Sequence, residues 1–463
     1  LTPLNDTIWP GDTIGIESGR RNIYLRIKNL AGAEGQPITL INTPGRVEIF
    51  NPGPGGAMSI KKSKYIRLSG SGDSAYLYGI RLDSTYMGTS LSLDELTSDV
   101  EIHHVEICNS GFAGLMAKTD PGCDPASHRE NFTMKNLHFH HNYIHHTAGE
   151  GMYIGYCNYG PVTRNCSGNQ ITVYAHEIHH LRVHDNLITY TGYDGIQVGC
   201  ATYDIEVYNN EIIKPGTWDN ATSKVYGMEG IIVGGGSTGR YYNNRIIDPY
   251  GIGISVFGTG DIHIYNNLIT RPGRYSSLPV NKHFCYGIYA ADRITTPGAS
   301  CYYINNTIIS PRTSGIKIAS TQTINNRVYN NIIVDPSSKH QFGNYGNNWM
   351  KSCFQFSANN VITANNYIDT VYYASYHGLP GSVDPYFSDA AGMDFHLLEN
   401  AVMVDAGLAC DTVSGFAFDA DQMPRPSGTG WDIGAYEYMG TGQVYLPQIQ
   451  NTPEMEIDRK SVV

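Results

Sequence analysis

The sequence predicts an all-β chain wound as a parallel solenoid. Three observations carry that expectation: a composition suited to short strands and tight turns, a repeated Asn-x-Ile segment, and a second series of strands each led by glycine. Among the 463 residues, 51 glycines and 34 tyrosines stand against only 16% charged residues, a balance that fits many short strands better than long helices. A chain of this length either splits into average domains or grows as one elongated array, and the repeats favour the array.

The first repeat is read in "FHHNYI", "VHDNLI", "VYNNEI", "YYNNRI", "IYNNLI", "YINNTI", "VYNNII" and "TANNYI", with asparagine at Asn142, Asn186, Asn210, Asn244, Asn267, Asn306, Asn331 and Asn366. Successive gaps of 44, 24, 34, 23, 39, 25 and 35 residues reveal a unit of 23 to 25 residues, lengthened by insertions in alternate turns. Stacked units would align these asparagines as a ladder at a bend. There each tolerates left-handed geometry and bonds its neighbours' amides.

The second series is "GIRL" at 79, "GLMA" at 114, "GMYI" at 151, "GIQV" at 195, "GIIV" at 230, "GISV" at 253, "GIYA" at 287 and "GIKI" at 315. Apolar residues at alternate positions give each the period-two mark of a strand with one buried face. Neither strand of a unit can bury its apolar side alone. Stacking units about 4.8 Å apart fills a common core and pairs the backbones.

The repeats, together with "GDTIGIESG", "PITLINTPGRVEIF" and "YIRLSGSG" near the start, resemble the right-handed parallel β-helix family with the pectate-lyase-like fold, over roughly residues 8 to 370. That resemblance implies an all-β, right-handed parallel β-helix across 1–370. The fold hosts lyases, hydrolases, epimerases and non-catalytic surface proteins, so the chemistry must be argued from the site. From residue 371 to 438, "DPYFSDAAGMDFHLLENAVMVDAG" and "DADQMPRPSGTGWDIGAYEY" resemble the C-terminal capping region of secreted bacterial β-helix proteins, expected to close the open end of the solenoid. Residues 439–463 read as a tail. Its last six, Asp458 to Val463, match the translation of a common sequencing adapter and are set aside as a candidate artefact.

A formal charge of −11 argues against nucleic acid as a partner, which would need a basic surface. No apolar run approaches the roughly 18 residues of a membrane span, so no transmembrane segment is expected. The chain opens without a signal pattern, and we read the numbering as starting after signal removal, for a secreted or cell-surface monomer. Among nine cysteines, Cys108/Cys123, Cys157/Cys166 and Cys285/Cys301 are near enough in sequence for local disulfides in an oxidising compartment, with buried free thiols as the alternative.

Aligned on the glycine series, the residues just ahead of successive strands are Ala113, Glu150, Asp194, Glu229, Ile252, Tyr286 and Ser314. Three consecutive turns thus carry carboxylates, with neighbours expected about 5 Å apart and the outer two about 10 Å apart. Like charges so close raise one another's pKa unless a cation or proton sits among them. Ordinary turn chemistry is the plain alternative.

The same geometry serves several functions. Two carboxyls about 5 to 5.5 Å apart suit retaining glycoside hydrolysis, and about 6.5 to 9.5 Å suit inversion. The same three residues, Glu150, Asp194 and Glu229, could instead hold Ca²⁺, either for a polysaccharide lyase acting on uronates or as a staple across coils. Outward strand positions are expected at Met116, Tyr153, Gln197, Ile232, Ser255, Tyr289 and Lys317, of which Tyr153 and Gln197 lie beside the carboxylates and suit sugar binding. A lyase base or substrate contact would come from Lys118, Arg129 or a histidine.

Twelve of the seventeen histidines fall between His103 and His184, and His176 is the one expected to reach over the carboxylates. His103, His140, His184, Tyr208, Tyr242, Tyr265, Ile304 and Tyr329 occupy equivalent positions and predict a stacked stripe, structural or sugar-binding. "HEIHH" at 176–180 does not match the HExxH zinc motif, so no catalytic transition metal is expected. The favoured reading is a secreted enzyme hydrolysing glycosidic bonds in a polysaccharide. A Ca²⁺-assisted lyase and a non-catalytic carbohydrate-binding or adhesion protein are the alternatives.

Overall fold

The computed structural model describes residues 7–85, 87–218, 227–274, 285–336, 354–356, 361–368, 386–410 and 416–440. Each coil contributes one strand to each of three parallel sheets, which hold 12, 12 and 11 strands. One coil runs Glu177–His184 in the first sheet, Leu187–Thr191 in the second and Ile196–Val198 in the third. The next coil repeats the path in register, with Val183 beside Val207, Ile188 beside Ile212 and Ile196 beside Ile231. The architecture is a parallel β-helix of the right hand that crossovers between parallel strands adopt.

In-register stacking puts like residues over like residues. Ile144, Ile188, Ile212, Ile246, Ile269, Ile308 and Ile333 form one unbroken inward ladder in the second sheet. All seven are buried in a single apolar core that runs the length of the solenoid. β-branched side chains suit this stacking because one preferred rotamer serves every coil.

The asparagine ladder is present, with one correction. Left-handed backbone falls on the residue before each ladder asparagine, as at Asp185 (φ 53°), Asn209 (φ 53°) and Asn305 (φ 54°), not on the asparagine itself. That reversal turns the ladder side chain inward. Asn186 donates both its backbone N–H and its side-chain amide to Oδ1 of Asn210, at 3.3 and 2.9 Å, and also donates to the Phe139 carbonyl at 2.9 Å. Asn210 repeats the pattern onto Asn244. The side-chain amides of the ladder asparagines are thereby paired inside the bend.

The glycine series is a requirement of close approach. A Cβ on Gly195 would meet the Gly230 carbonyl oxygen at 2.7 Å, and one on Gly230 the Gly253 oxygen at 2.6 Å. Gly79 is the exception to the expected alignment. Its strand, Ile80–Thr85, pairs in the second sheet with Val47–Asn51 and Val105–Ser110, while the third-sheet strand of that coil is Leu91–Asp94. The "GIRL" pattern satisfies the period-two rule equally well in either sheet.

The C-terminal region is a separate small unit built on an antiparallel pair, Phe387–Asp389 with Asp394–Leu397. It packs along the flank of the later coils, and the part of the expected capping region at 371–385 lies outside the described residues. Outward second-sheet residues Leu268, Ile309, Ile332 and Val334 are apolar and form one cluster with Met403, Ile433 and Tyr436. The left-handed corner asparagines serve as docking points: Asn305 donates to the carbonyls of Asp432 and Gly434, and Asn330 to that of Leu408. Arg425 and Glu437 pair with neither side chain exposed. The tail from 441 onward, with its candidate artefact, lies outside the described residues.

Candidate functional site

The turn between second and third sheets aligns Ala113, Glu150, Asp194, Glu229, Ile252, Tyr286 and Ser314. Each glycine N–H that follows donates to the carbonyl of the aligned residue one coil on: Gly114 to Glu150 (2.9 Å), Gly151 to Asp194 (2.8 Å), Gly195 to Glu229 (3.0 Å) and Gly230 to Ile252 (2.9 Å). The three carboxylates therefore stack in consecutive coils. All are buried, with Glu150 7%, Asp194 1% and Glu229 5% exposed.

The middle member has the raised proton affinity. Burial, then the neighbouring Glu229 charge and its hydrogen bond, then Glu150, push the Asp194 carboxyl well above the usual carboxylate range. Oδ1 of Asp194 accepts the Glu229 backbone N–H at 2.9 Å, and Oε2 of Glu229 accepts those of Gly227 and Met228 at 3.0 and 2.6 Å. Ser255 Oγ lies 3.5 Å from the other Glu229 oxygen. The arrangement places an acid of raised proton affinity beside a second carboxyl residue in a site shielded from water.

The outward third-sheet row runs in register through Met116, Tyr153, Gln197, Ile232, Ser255, Tyr289 and Lys317. Tyr153 bonds Gln197, and burial raises its phenol far above the usual range. Lys118 lies 4.7 Å from the Tyr153 ring centre while its ammonium pairs with Asp120 at 2.6 Å. Glu150, Asp194, Glu229, Tyr153, Gln197 and Lys118 thus form one neighbourhood.

His176 and Arg129 do not join it. His176 is fully buried at the far end of the third-sheet strands. Its Nε2 accepts the Thr119 N–H at 3.0 Å, and its Nδ1 lies 3.0 Å from the Glu177 carbonyl. Both ring nitrogens are thus held by backbone, and Phe132 packs on the ring edge. Arg129 donates to the carbonyls of Ala175 and Tyr159 and lies over the Tyr159 ring, tying down the insertion that carries the hairpin 162–173. That insertion is also fixed by the disulfide Cys123–Cys166. The bridge replaces the expected Cys108/Cys123 and Cys157/Cys166 pairs, because the hairpin folds back across 43 residues of chain to reach Cys123. Cys108, Cys157, Cys285 and Cys301 are free thiols.

Tyr193 and Trp218 were not anticipated. Their rings stack at 5.4 Å and 16° beside the carboxylates: Tyr193 directly precedes Asp194, and its ring lies against the Gly227 backbone. Trp218 is 45% exposed and its backbone N–H bonds the Gly192 carbonyl. A tryptophan in the insertion between Ile213 and Gly230 was the available signal, but insertions fall outside the repeat that aligned everything else.

On the first sheet the expected stripe is a column of parallel rings. His103, His140, His184, Tyr208, Tyr242 and Tyr265 follow one another at 4.9, 5.1, 4.6, 4.9 and 4.7 Å, with interplanar angles of 11° or less.

These features define the class: the chain is a parallel β-helix protein with a buried carboxylate stack beside an exposed aromatic pair. The family model described as periplasmic copper-binding protein (NosD) matches residues 117–274, about a third of the chain. No curated protein matches significantly. Solved structures that are similar include the pectate lyase Pel9A, at 12% identity over 93% of this chain and 88% of that one, with a TM-score of 0.46. A GH136 lacto-N-biosidase from Eubacterium ramulus is 13% identical over 78% of this chain and 62% of its own, with a TM-score of 0.48. An alginate lyase from Paenibacillus sp. str. FPU-7 is 15% identical over 78% and 93%, with a TM-score of 0.41. The fold assignment rests on the three in-register sheets themselves. Among the described residues, no helix is long and apolar enough to cross a membrane.

Proposed function

We propose that the protein is a carbohydrate-active enzyme that cleaves glycosidic bonds of a polysaccharide lying along the corner between the second and third sheets, by hydrolysis. The observation that carries this reading is the buried Asp194–Glu229 pair: burial and the neighbouring Glu229 raise the proton affinity of Asp194, the property a general acid requires. Asp194 supplies the proton to the leaving oxygen, Glu229 is its carboxylate partner, and Glu150 helps to keep Asp194 protonated. Trp218, 45% exposed and stacked on Tyr193, supplies an aromatic ring for sugar binding.

A Ca²⁺-assisted elimination is the weaker reading. Ca²⁺ takes about six to eight oxygen ligands, yet Glu229 Oε2 already accepts two backbone N–H groups and Asp194 Oδ1 a third. The base such a reaction needs is also poorly supplied, since Lys118 is paired with Asp120 and burial holds the Tyr153 phenol in its protonated form. The Cys123–Cys166 disulfide supports an oxidising location, secreted or periplasmic.

The test is a panel of neutral and uronate polysaccharides assayed for new reducing ends and for the absorbance of unsaturated uronate. Reducing ends alone support hydrolysis. The absorbance appearing with them supports elimination, and neither signal on any polymer supports a binding protein.

A further inference from the structure

We propose that His138, His140 and His184, with Glu101 beside them, form a binding site for a borderline divalent transition-metal ion such as Zn²⁺ on the outer face of the first sheet. The register builds it. His138 and His140 are two residues apart on one strand and so share its outer face, with Glu101 next to His138 on the preceding coil and His184 next to His140 on the following one. One ligand atom from each histidine lies within 4.8 Å of the other two.

Each donor is aimed. Asp185 lies 2.6 Å from His184 Nδ1, which fixes the proton there and leaves the Nε2 lone pair pointing away from the carboxylate. That Nε2 faces His138 Nε2 at 2.6 Å. His140 has its Nδ1 2.8 Å from His141 Nδ1, which directs its Nε2 to the same side, 3.2 Å from Glu101 Oε1. That carboxylate oxygen, beside the His140 donor nitrogen, is the candidate fourth donor, while the other Glu101 oxygen is held by Arg67.

Ring stacking accounts for His140 and His184 but not for His138. The column is continued by Tyr208, Tyr242 and Tyr265, so stacking alone calls for no imidazole. His138 stands outside it, tilted 36° from His140 and 38° from His184, with its nitrogen turned onto His184. An ion about 2.0 to 2.1 Å from each nitrogen needs the facing pair about 3.3 Å apart, which a small opening of two surface rings supplies. Three imidazoles and one carboxylate select zinc, copper or nickel over the oxygen-seeking Ca²⁺ and Mg²⁺.

The experiment uses the full chain without a histidine tag, dialysed against Zn²⁺ and analysed for bound metal, with Co²⁺ as a spectroscopic probe. One tightly bound equivalent is expected, together with a visible Co²⁺ band of low-coordinate geometry. His138→Ala removes a side chain that is 40% exposed, so the coil keeps its packing. This variant should weaken binding at least about 100-fold and abolish the band, while Asp185→Asn weakens it about tenfold. His179→Ala, outside the cluster, should change neither. Absence of stoichiometric binding, or an affinity that His138→Ala leaves unchanged in a protein of normal circular dichroism, would overturn the assignment.

Discussion

Glu229 donates its backbone N–H to Oδ1 of Asp194 at 2.9 Å, which ties the buried Asp194 carboxyl to the backbone of the carboxylate residue on the adjacent coil. The bond exists because the coils stack in register: the residue ahead of one third-sheet strand lies directly over its equivalent in the next. Stacking three carboxyls in this way raises the proton affinity of the middle one, Asp194.

That raised proton affinity sets a pH dependence of stability. The folded protein holds the Asp194 proton more tightly than the unfolded chain does, so this group's stabilising contribution is complete below the ordinary aspartate range and is lost as pH rises through the raised folded value. Asp194→Asn, which imitates the protonated state, should flatten the fall in melting temperature between acid and alkaline pH. Thermal unfolding across that range reads it, and an unchanged slope would mean the stack is not protonated.

Asn210→Ala should be among the most damaging single changes in the solenoid. It leaves two donors of Asn186 without their acceptor and takes a donor from Asn244 Oδ1. Each of the two orphaned donors costs about 1 to 3 kcal/mol, for a total of about 2 to 6 kcal/mol. Urea unfolding measures it, against Asn209→Ser at the neighbouring corner as a milder control.

Removing the Arg425 side chain should free the flanking C-terminal unit. Glu437 would then keep a buried charge without its partner, at a cost of about 3 to 5 kcal/mol. Trp431, now 4% exposed beside Arg425, would report the change as red-shifted fluorescence, while the solenoid's circular dichroism stays the same.

Trp218→Ala should weaken polysaccharide binding and spare the chemical step. Loss of one exposed stacking ring is worth about 1.4 kcal/mol, a rise of about tenfold in KM with kcat little altered. Steady-state kinetics on the polymer that the protein degrades separates the two.

The solenoid was legible because repetition turns one pattern into many: eight Asn-x-Ile segments and the glycine-led strands fixed the register that stacks Glu150, Asp194 and Glu229. What the repeat did not cover was not legible. The hairpin 162–173, the disulfide to Cys123 and the Trp218 platform all belong to insertions, whose course depends on tertiary contacts. The flank docking of the C-terminal unit had a readable signal in the apolar outward residues Leu268, Ile309 and Ile332, but only once the second sheet's outward face was known. His176 was misplaced for a related reason: sequence put it in the right insertion, while its position at the opposite end of the third-sheet strands is set by backbone bonds to Thr119 and Glu177.

The most direct test of the central claim is the rate of reducing-end release by Asp194→Asn and Glu229→Gln relative to the unaltered chain, on the polysaccharide it cleaves best. The account predicts a loss of at least about 100-fold in kcat for each, with folding intact, because a positioned acid or base contributes about 10²- to 10⁴-fold. Rates within about twofold of the unaltered chain for both variants would contradict it.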